Sequence, residues 1–325
     1  MRPNVYVTRM LPAEAIEKLQ QHCDVEINLD DRVLTREELL AKVQGRDAVL
    51  CLLTDNIDDE VLAAAGPQCK IFANYAVGYN NIDVAAATAR RVIITNTPGV
   101  LTDATADLAW ALLFSTARRI VESDTYTRAG KFEGWGPMLF LGRDITGKTL
   151  GIIGAGRIGA NFAKKSKGFE MKLLYHDVQP NAQFEAETGA TFVDFDTLLK
   201  ESDFVSVHVP LMPSTKHLIN ERAFKLMKPT AILINSSRGP VVDEKALVTA
   251  LRDGEIWGAG LDVYEDEPLL APGLADLPNA VIVPHIASAT IETRTKMGLM
   301  AVENILAVFN GETPPNCVNP EVLQG

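Results

Sequence analysis

Thr149-Leu150-Gly151-Ile152-Ile153-Gly154-Ala155-Gly156-Arg157-Ile158-Gly159 is an apolar strand-like run that breaks into a GxGxxG turn and continues as a helix. Each glycine answers a separate steric demand. Gly154 permits the tight turn, Gly156 lets a dinucleotide's pyrophosphate approach the backbone, and Gly159 lets the helix lie close to the strand. The helix N-terminus then turns unpaired N–H groups and the positive end of its dipole toward the phosphates. GxGxxG alone is a weak motif, and its flanks make it specific. Ala160–Lys167 reads as the helix, Gly168 as its cap, and Leu173-Leu174-Tyr175 as the next strand. That strand runs into His176-Asp177, and Asp177 lies 18 residues beyond Gly159. An acidic group at that strand end accepts hydrogen bonds from ribose hydroxyls and repels a 2′-phosphate. No Arg or Lys in Val178-Gln179-Pro180-Asn181-Ala182 offsets that repulsion, so the expected cofactor is NADH rather than NADPH.

Outward from this stretch, short β-branched runs alternate with helix-like segments, the pattern of α/β architecture with parallel sheets. Strands are expected at Val5–Val7, Ala48–Leu53, Ile71–Ala73 and Val92–Thr95, then at Thr149–Ile153, Leu173–Tyr175, Phe204–Val209, Ala231–Asn235, Ala259–Asp262 and Val281–Val283. Most are apolar on both faces, as strands covered by helices on each side must be. Thr35-x-x-Glu38 ahead of Leu39-Leu40 is a capping box. Thr102 to Ala129 contains neither Pro nor Gly and spaces Leu108, Ala109, Leu112 and Leu113 helically, which predicts one long helix. Gly134 to Met138 is a loop, and a last helix is expected near Ile291 to Phe309.

The 325 residues suit two domains, and 47% hydrophobic with 22% charged residues is a globular balance. A net charge of -11, with only brief basic clusters such as Lys164-Lys165-Ser166-Lys167, argues against nucleic acid as a partner. The N-terminal run lacks the apolar core of a signal peptide, and no apolar run reaches membrane-spanning length. Cys23, Cys51, Cys69 and Cys317 form no ligand cluster. These features lead us to expect a cytoplasmic protein without a metal site or a membrane partner.

Three polar motifs follow apolar strands: Ile234-Asn235-Ser236-Ser237-Arg238-Gly239, Gly260-Leu261-Asp262-Val263-Tyr264-Glu265-Asp266-Glu267-Pro268 and Val283-Pro284-His285-Ile286-Ala287-Ser288-Ala289-Thr290. Each puts its polar residues at the carboxyl edge of a strand, where open α/β sheets bind ligands. Taken singly, such a His or an Arg–Glu pair is more often structural than functional. His22, His176, His208 and His217 have no comparable context.

Together with Asn74-Tyr75-Ala76-Val77-Gly78-Tyr79-Asn80-Asn81-Ile82-Asp83 and Thr95-Asn96-Thr97-Pro98-Gly99-Val100, these motifs resemble the D-2-hydroxyacid dehydrogenase family, and within it the glyoxylate/hydroxypyruvate reductases. The resemblance runs through nearly the whole chain. It implies two doubly wound domains, a Rossmann NAD-binding domain (100–288) inserted into a flavodoxin-like substrate domain (1–99 and 289–325). It implies NADH-dependent reduction of a small 2-keto acid, glyoxylate to glycolate or hydroxypyruvate to D-glycerate. His285 would be the general acid, since imidazole titrates near neutral pH. Glu267 would hold its ring and favour its protonated form, and Arg238 would grip the substrate with its planar fork. Leu53, Val77, Gly78 and Trp135 would complete the substrate site. Alongside Gly154, Gly156, Gly159 and Asp177, the resemblance implies cofactor contacts from Thr105, Arg157, Ile158, Val209, Pro210, Thr215, Ser237, Asp262 and Ser288, with Asp262 at the nicotinamide end. A homodimer is implied by the 102–129 segment. Asp107, Met212 and Ala287 depart from the usual residues, and Ala287 would slightly crowd the nicotinamide-side backbone. A larger 2-keto acid, phosphite oxidation on the same scaffold, and an NAD-sensing corepressor-like protein are the alternatives.

Overall fold

Alternation of buried β-strands with helices gives two separate parallel sheets. The computed structural model describes residues 2–324, and these form two units, one of 2–101 with 288–324 and the other Thr102–Ala287.

The first unit contains β1 (Asn4–Val7), β2 (Asp24–Ile27), β3 (Ala48–Cys51), β4 (Ile71–Asn74) and β5 (Ile93–Thr95), in the order β2-β1-β3-β4-β5. All pairs are parallel, with Val5 opposite both Val25 and Ala48. Side chains alternate between two cores. Val5, Val7, Leu50 and Ala73 pack with Leu19, Met297, Val302 and Ile305, whereas Val49, Phe72 and Ile94 pack with Leu39, Val61 and Leu62. The strand order reverses between β1 and β3, so the crevice at their carboxyl ends is where such a sheet takes a ligand. The loop Leu52 to Asp55 begins there.

The second unit contains β6 (Thr149–Ile153), β7 (Lys172–His176), β8 (Thr191–Phe192), β9 (Phe204–Val207), β10 (Ile232–Asn235), β11 (Gly258–Leu261) and β12 (Ala280–Ile282). Their order is β12-β11-β10-β9-β6-β7-β8, again all parallel. This is a doubly wound dinucleotide-binding sheet, whose reversal lies between β6 and β9.

Four local readings differ from the structure. The helix expected over 102–129 is two, Thr102–Ala117 and Ile120–Arg128, with Arg119 between them at φ 53°. The cause is non-local: the Arg143 N–H donates to the Ala117 carbonyl at 2.8 Å, taking an acceptor that a continuing helix would use. The helix after the glycine turn is Arg157–Lys165, and it tightens into a 3₁₀ turn at Ser166–Phe169, closed by Glu170 at φ 52° rather than by Gly168. There Phe169 packs against Trp110 and Phe114, each 5.3 Å between ring centroids. The edge strands β2 and β8 carry too short an apolar signal to be read. Several strands also stop earlier than expected, leaving Leu52, Leu53, His208, Val209, Asp262 and Val283 in loops. The Thr35 capping box is present, with Glu38 N–H to Thr35 Oγ1 at 3.3 Å and Thr35 N–H to Glu38 Oε2 at 2.8 Å. Among the described residues, no helix is long and apolar enough to cross a membrane.

Candidate active site

The glycine turn follows β6 and is built by steric necessity. Gly154 sits at φ 103°, where a side chain would be strained, and its N–H donates to the His176 carbonyl at 2.9 Å. A Cβ at Gly159 would lie 2.1 Å from the Gly154 oxygen, so the helix contacts the turn only because glycine is there. Gly156 is the N-cap of Arg157–Lys165, and nothing lies within 4 Å of where its Cβ would be. That open backbone cradle at a helix N-terminus fits a pyrophosphate. Arg157 is exposed and Ile158 half-buried at the start of the helix.

Asp177 follows β7 and is held by the turn itself. Its Oδ2 accepts the Ala155 N–H at 2.8 Å and its Oδ1 the Val178 N–H at 2.7 Å. A carboxylate has about four acceptor directions, so capacity remains for a ribose. Other expected cofactor residues are less committed. Thr215 uses its hydroxyl within its own loop, donating to the Pro210 carbonyl at 2.7 Å and accepting the Met212 N–H at 2.8 Å. Thr105 is buried within its helix, Val209 is half-buried and Pro210 exposed. His208 faces Ser206, Nε2 to Oγ at 2.9 Å, and burial pushes its imidazole down to about 3. That suits the structural role expected of it.

Arg238, Glu267 and His285 come together beyond β10, β11 and β12. Asn235, at the end of β10, folds the Arg238 turn: its Oδ1 accepts both N–H (3.1 Å) and Oγ–H (2.9 Å) of Ser237, and its Nδ2 donates to the Arg238 carbonyl at 3.0 Å. Burial works against the Arg238 charge, and Glu267 supports it. Glu267 accepts the Tyr264 N–H on Oε1 at 3.0 Å, and its Oε2 meets His285 Nδ1 at 2.9 Å. Burial raises the Glu267 carboxyl, but the His285 hydrogen bond and charge, Tyr264 and Arg238 together hold it below its ordinary value.

His285 has φ 53°, an uncommon conformation for a residue with a Cβ. Two devices keep it there. The Tyr264 hydroxyl donates to the Val283 carbonyl at 2.8 Å, fixing the approach to the turn. Beyond the turn, fully buried Asp262 accepts the Ile286 N–H on Oδ1 at 2.6 Å and the Ala287 N–H on Oδ2 at 2.9 Å. Burial raises the Asp262 carboxyl, while those N–H groups and the His285 charge oppose the rise. Asp262 thus grips the backbone after His285, a use the sequence did not suggest. Asn235 and Tyr264 lie inside the motifs, and only the tertiary contacts reveal their roles.

The first unit holds Leu53, Val77, Gly78 and Ser288. The Leu52 to Asp55 loop is pinned by the Asp55 Oδ2, which accepts Thr8 Oγ1–H at 2.6 Å and the Leu52 N–H at 2.8 Å. Leu53 projects from it partly exposed. Two asparagines missed by the sequence reading shape the Val77–Gly78 turn: Asn96 Nδ2 donates to the Val77 carbonyl at 2.8 Å and Asn74 Nδ2 to the Gly78 carbonyl at 2.9 Å. The N–H groups of Val77 and Gly78 have no acceptor among the described residues, which suits anion binding. Trp135 stands on a loop of the second unit, 85% exposed and not joined to the cluster.

The family profile for "D-isomer specific 2-hydroxyacid dehydrogenase, NAD binding domain" matches residues 110–287. The chain is 52% identical to the glyoxylate reductase of Thermococcus litoralis, over 99% of this chain and 98% of that one. Among solved structures it resembles the TT0316 protein of Thermus thermophilus, with a TM-score of 0.91, 45% identity and coverage of 97% and 99%. It also resembles an NADPH-dependent glyoxylate/hydroxypyruvate reductase from Sinorhizobium meliloti, with a TM-score of 0.86, 32% identity and coverage of 99% and 98%. With its doubly wound sheet, open glycine cradle and Arg, Glu and His at the strand ends, the chain belongs to the D-isomer-specific 2-hydroxyacid dehydrogenases and is an NAD(P)-linked oxidoreductase.

Proposed function

We propose that the protein reduces a small 2-keto acid with NADH, taking glyoxylate to glycolate and hydroxypyruvate to D-glycerate. The observation that carries this reading is the His285–Glu267 pair, Nδ1 to Oε2 at 2.9 Å, with the Arg238 charge held beside it by Glu267. NADH, when bound, supplies the hydride for the keto carbon. Because His285 Nδ1 faces the Glu267 carboxylate, Nε2 is the nitrogen left to protonate the keto oxygen. Glu267 stabilises the charged ring and fixes its orientation. Arg238 holds the carboxylate and polarises the carbonyl, and its buried charge gains most when an anion arrives.

Asp177 supports a preference for NADH, since a second phosphate on the ribose would meet its negative charge. The Sinorhizobium relative is NADPH-dependent, so the two cofactors have to be compared directly. Relatives named glyoxylate reductase at about half identity support a small substrate. A homodimer is also part of the reading. Phe132, Trp135, Met138 and Leu141 are exposed on one loop of the second unit. The same unit carries a groove of about 380 Å³ lined by Val121, Ile256, Trp257 and Val281. The deciding experiment is kcat/KM for glyoxylate, hydroxypyruvate, pyruvate and bulkier keto acids with each cofactor, with phosphite tested in the oxidative direction. The proposal requires the two small acids with NADH to lead. A bulkier acid, phosphite or NADPH in front would reject it.

A further inference from the structure

His217 has no role in the chemistry above and no motif around it, yet it touches two of the three site loops. It lies beyond β9 at φ 50°, again uncommon for a residue with a Cβ. Its Nε2 meets Glu265 Oε1 at 2.6 Å, and its backbone N–H donates to the Pro240 carbonyl at 2.8 Å. Pro240 is two residues past Arg238, and Glu265 is two residues before Glu267. One residue therefore ties the Arg238 turn to the Glu267 loop, by main chain on one side and imidazole on the other.

The rest of the Glu265 environment turns this contact into a lock. Glu265 N–H donates to Glu244 Oε2 at 2.7 Å, and Glu244 N–H returns to Glu265 Oε2 at 3.3 Å. Buried Glu244 also accepts the Ala271 N–H on Oε1 at 2.8 Å, beyond the far end of the same loop. Gly239, next to Arg238, lies so close to this loop that a Cβ there would be 1.7 Å from the Tyr264 oxygen. A half-exposed His–Glu pair is ordinarily worth little to stability. This one closes a ring of contacts around Tyr264, whose N–H donates to Glu267.

We infer that His217 is a positioning residue for the reaction: through Glu265 and Pro240 it sets where Glu267, and hence His285, stands relative to Arg238. A carboxylate only accepts, so His217 Nε2 must donate. A glutamine at 217 can place an amide N–H in that position, whereas alanine cannot. The inference rests on the proposed roles of Glu267 and His285, and its test separates the two.

The test compares His217→Ala and His217→Gln in wild-type and Glu267→Gln backgrounds. His217→Ala is expected to lower kcat about tenfold, the scale of coupling within one hydrogen-bond network, with KM changed less than about threefold. His217→Gln restores most of the rate. In the Glu267→Gln background the same alanine change costs less than about twofold, because the group it positions is already disabled. Hydrogen exchange at the Tyr264 amide speeds up in His217→Ala and returns toward wild type in His217→Gln. If His217→Ala misfolds, Glu265→Gln carries the same expectations. Additive losses, or unchanged kcat and Tyr264 exchange, overturn the inference. A wild-type protein inert toward 2-keto acids overturns the catalytic reading instead, while Tyr264 exchange still reports on the lock.

Discussion

Replacing Asp262 by Asn changes almost nothing in shape, yet it should cost activity well out of proportion to its size. Asp262 uses both carboxylate oxygens to hold the Ile286 and Ala287 N–H groups, at 2.6 and 2.9 Å, and it is fully buried. Hydrogen bonds to a charged group contribute about 1.5–3 kcal/mol each. An asparagine keeps one acceptor and turns an NH₂ toward the other backbone N–H, leaving a buried donor facing a donor. That mismatch costs about 1–3 kcal/mol. Against it stands the strain at His285, whose φ of 53° costs a residue with a Cβ about 1–2 kcal/mol. The two are comparable, so the turn can relax once half of its grip is gone. If the relaxed form gains about 1.4–2.7 kcal/mol over the active one, kcat falls about 10- to 100-fold. The melting temperature should drop by about 4–8 °C for a 2 kcal/mol loss in a unit of this size. Single-turnover NADH oxidation and thermal melts of Asp262→Asn read both quantities. Wild-type kcat with a wild-type melt would mean that something other than Asp262 holds the His285 turn.

His285→Ala should lower kcat by about 10²–10⁴-fold while NADH binding, followed by fluorescence, stays within a few-fold; an unchanged kcat removes His285 from the reaction. Glu267 is held below its usual 4.5, so its ionised form and its contribution to stability are fully present above that value. That contribution is lost progressively as pH falls from about 4.5 through the depressed folded value, because over that range the unfolded chain takes up the proton before the native state does. The stability gap between wild type and Glu267→Gln should therefore shrink in acid, and urea melts showing a gap that widens in acid would reverse this sign. Gly159→Ala should destabilise by at least about 2 kcal/mol, as its Cβ would meet the Gly154 oxygen at 2.1 Å. Gly156→Ala, with nothing within 4 Å, should leave the melt nearly unchanged and weaken NADH binding. Equal effects of the two changes on stability would contradict the division of labour in the turn.

The difference between what was legible and what was not has a physical origin. A parallel strand fixes both direction and exit point, so residues just after β10, β11 and β12 had to gather at one edge. Arg238, Glu267 and His285 were readable for that reason. Gly154 and Gly159 were readable because the turn and the close packing each demand a missing Cβ. Asp262 was read as a nicotinamide contact, yet its oxygens hold backbone N–H groups 24 and 25 residues away. Every residue but proline offers such a donor, so nothing in the composition of a loop announces the partner. The same holds for His217 on Pro240 and for the helix break at Arg119, which follows from Arg143 N–H reaching Ala117. Local pattern predicted most of the strands and the edge where they end, though not every boundary; the choice among many equivalent backbone partners was made by tertiary packing.

The balance of charges at the site suggests how a turnover ends. Burial opposes both the Arg238 cation and the Glu267 anion; Glu267 supports the Arg238 charge, while His285, Tyr264 and Arg238 together keep Glu267 ionised. On the proposed assignment the Arg238–Glu267 pair sums to zero and the Asp262 carboxylate lies on the backbone of the His285 turn, so a protonated His285 adds one positive charge facing the substrate carboxylate that a neutral ring does not. Donating its proton to the keto oxygen makes His285 neutral, while the product keeps its carboxylate. One favourable charge–charge interaction is then lost, about 1 kcal/mol at 4 Å in water and about 4 kcal/mol at the effective dielectric of a protein surface. The proton transfer that completes the reduction thus also loosens the hydroxy acid. An imidazole therefore serves this site better than a permanent cation, which would hold product as tightly as substrate.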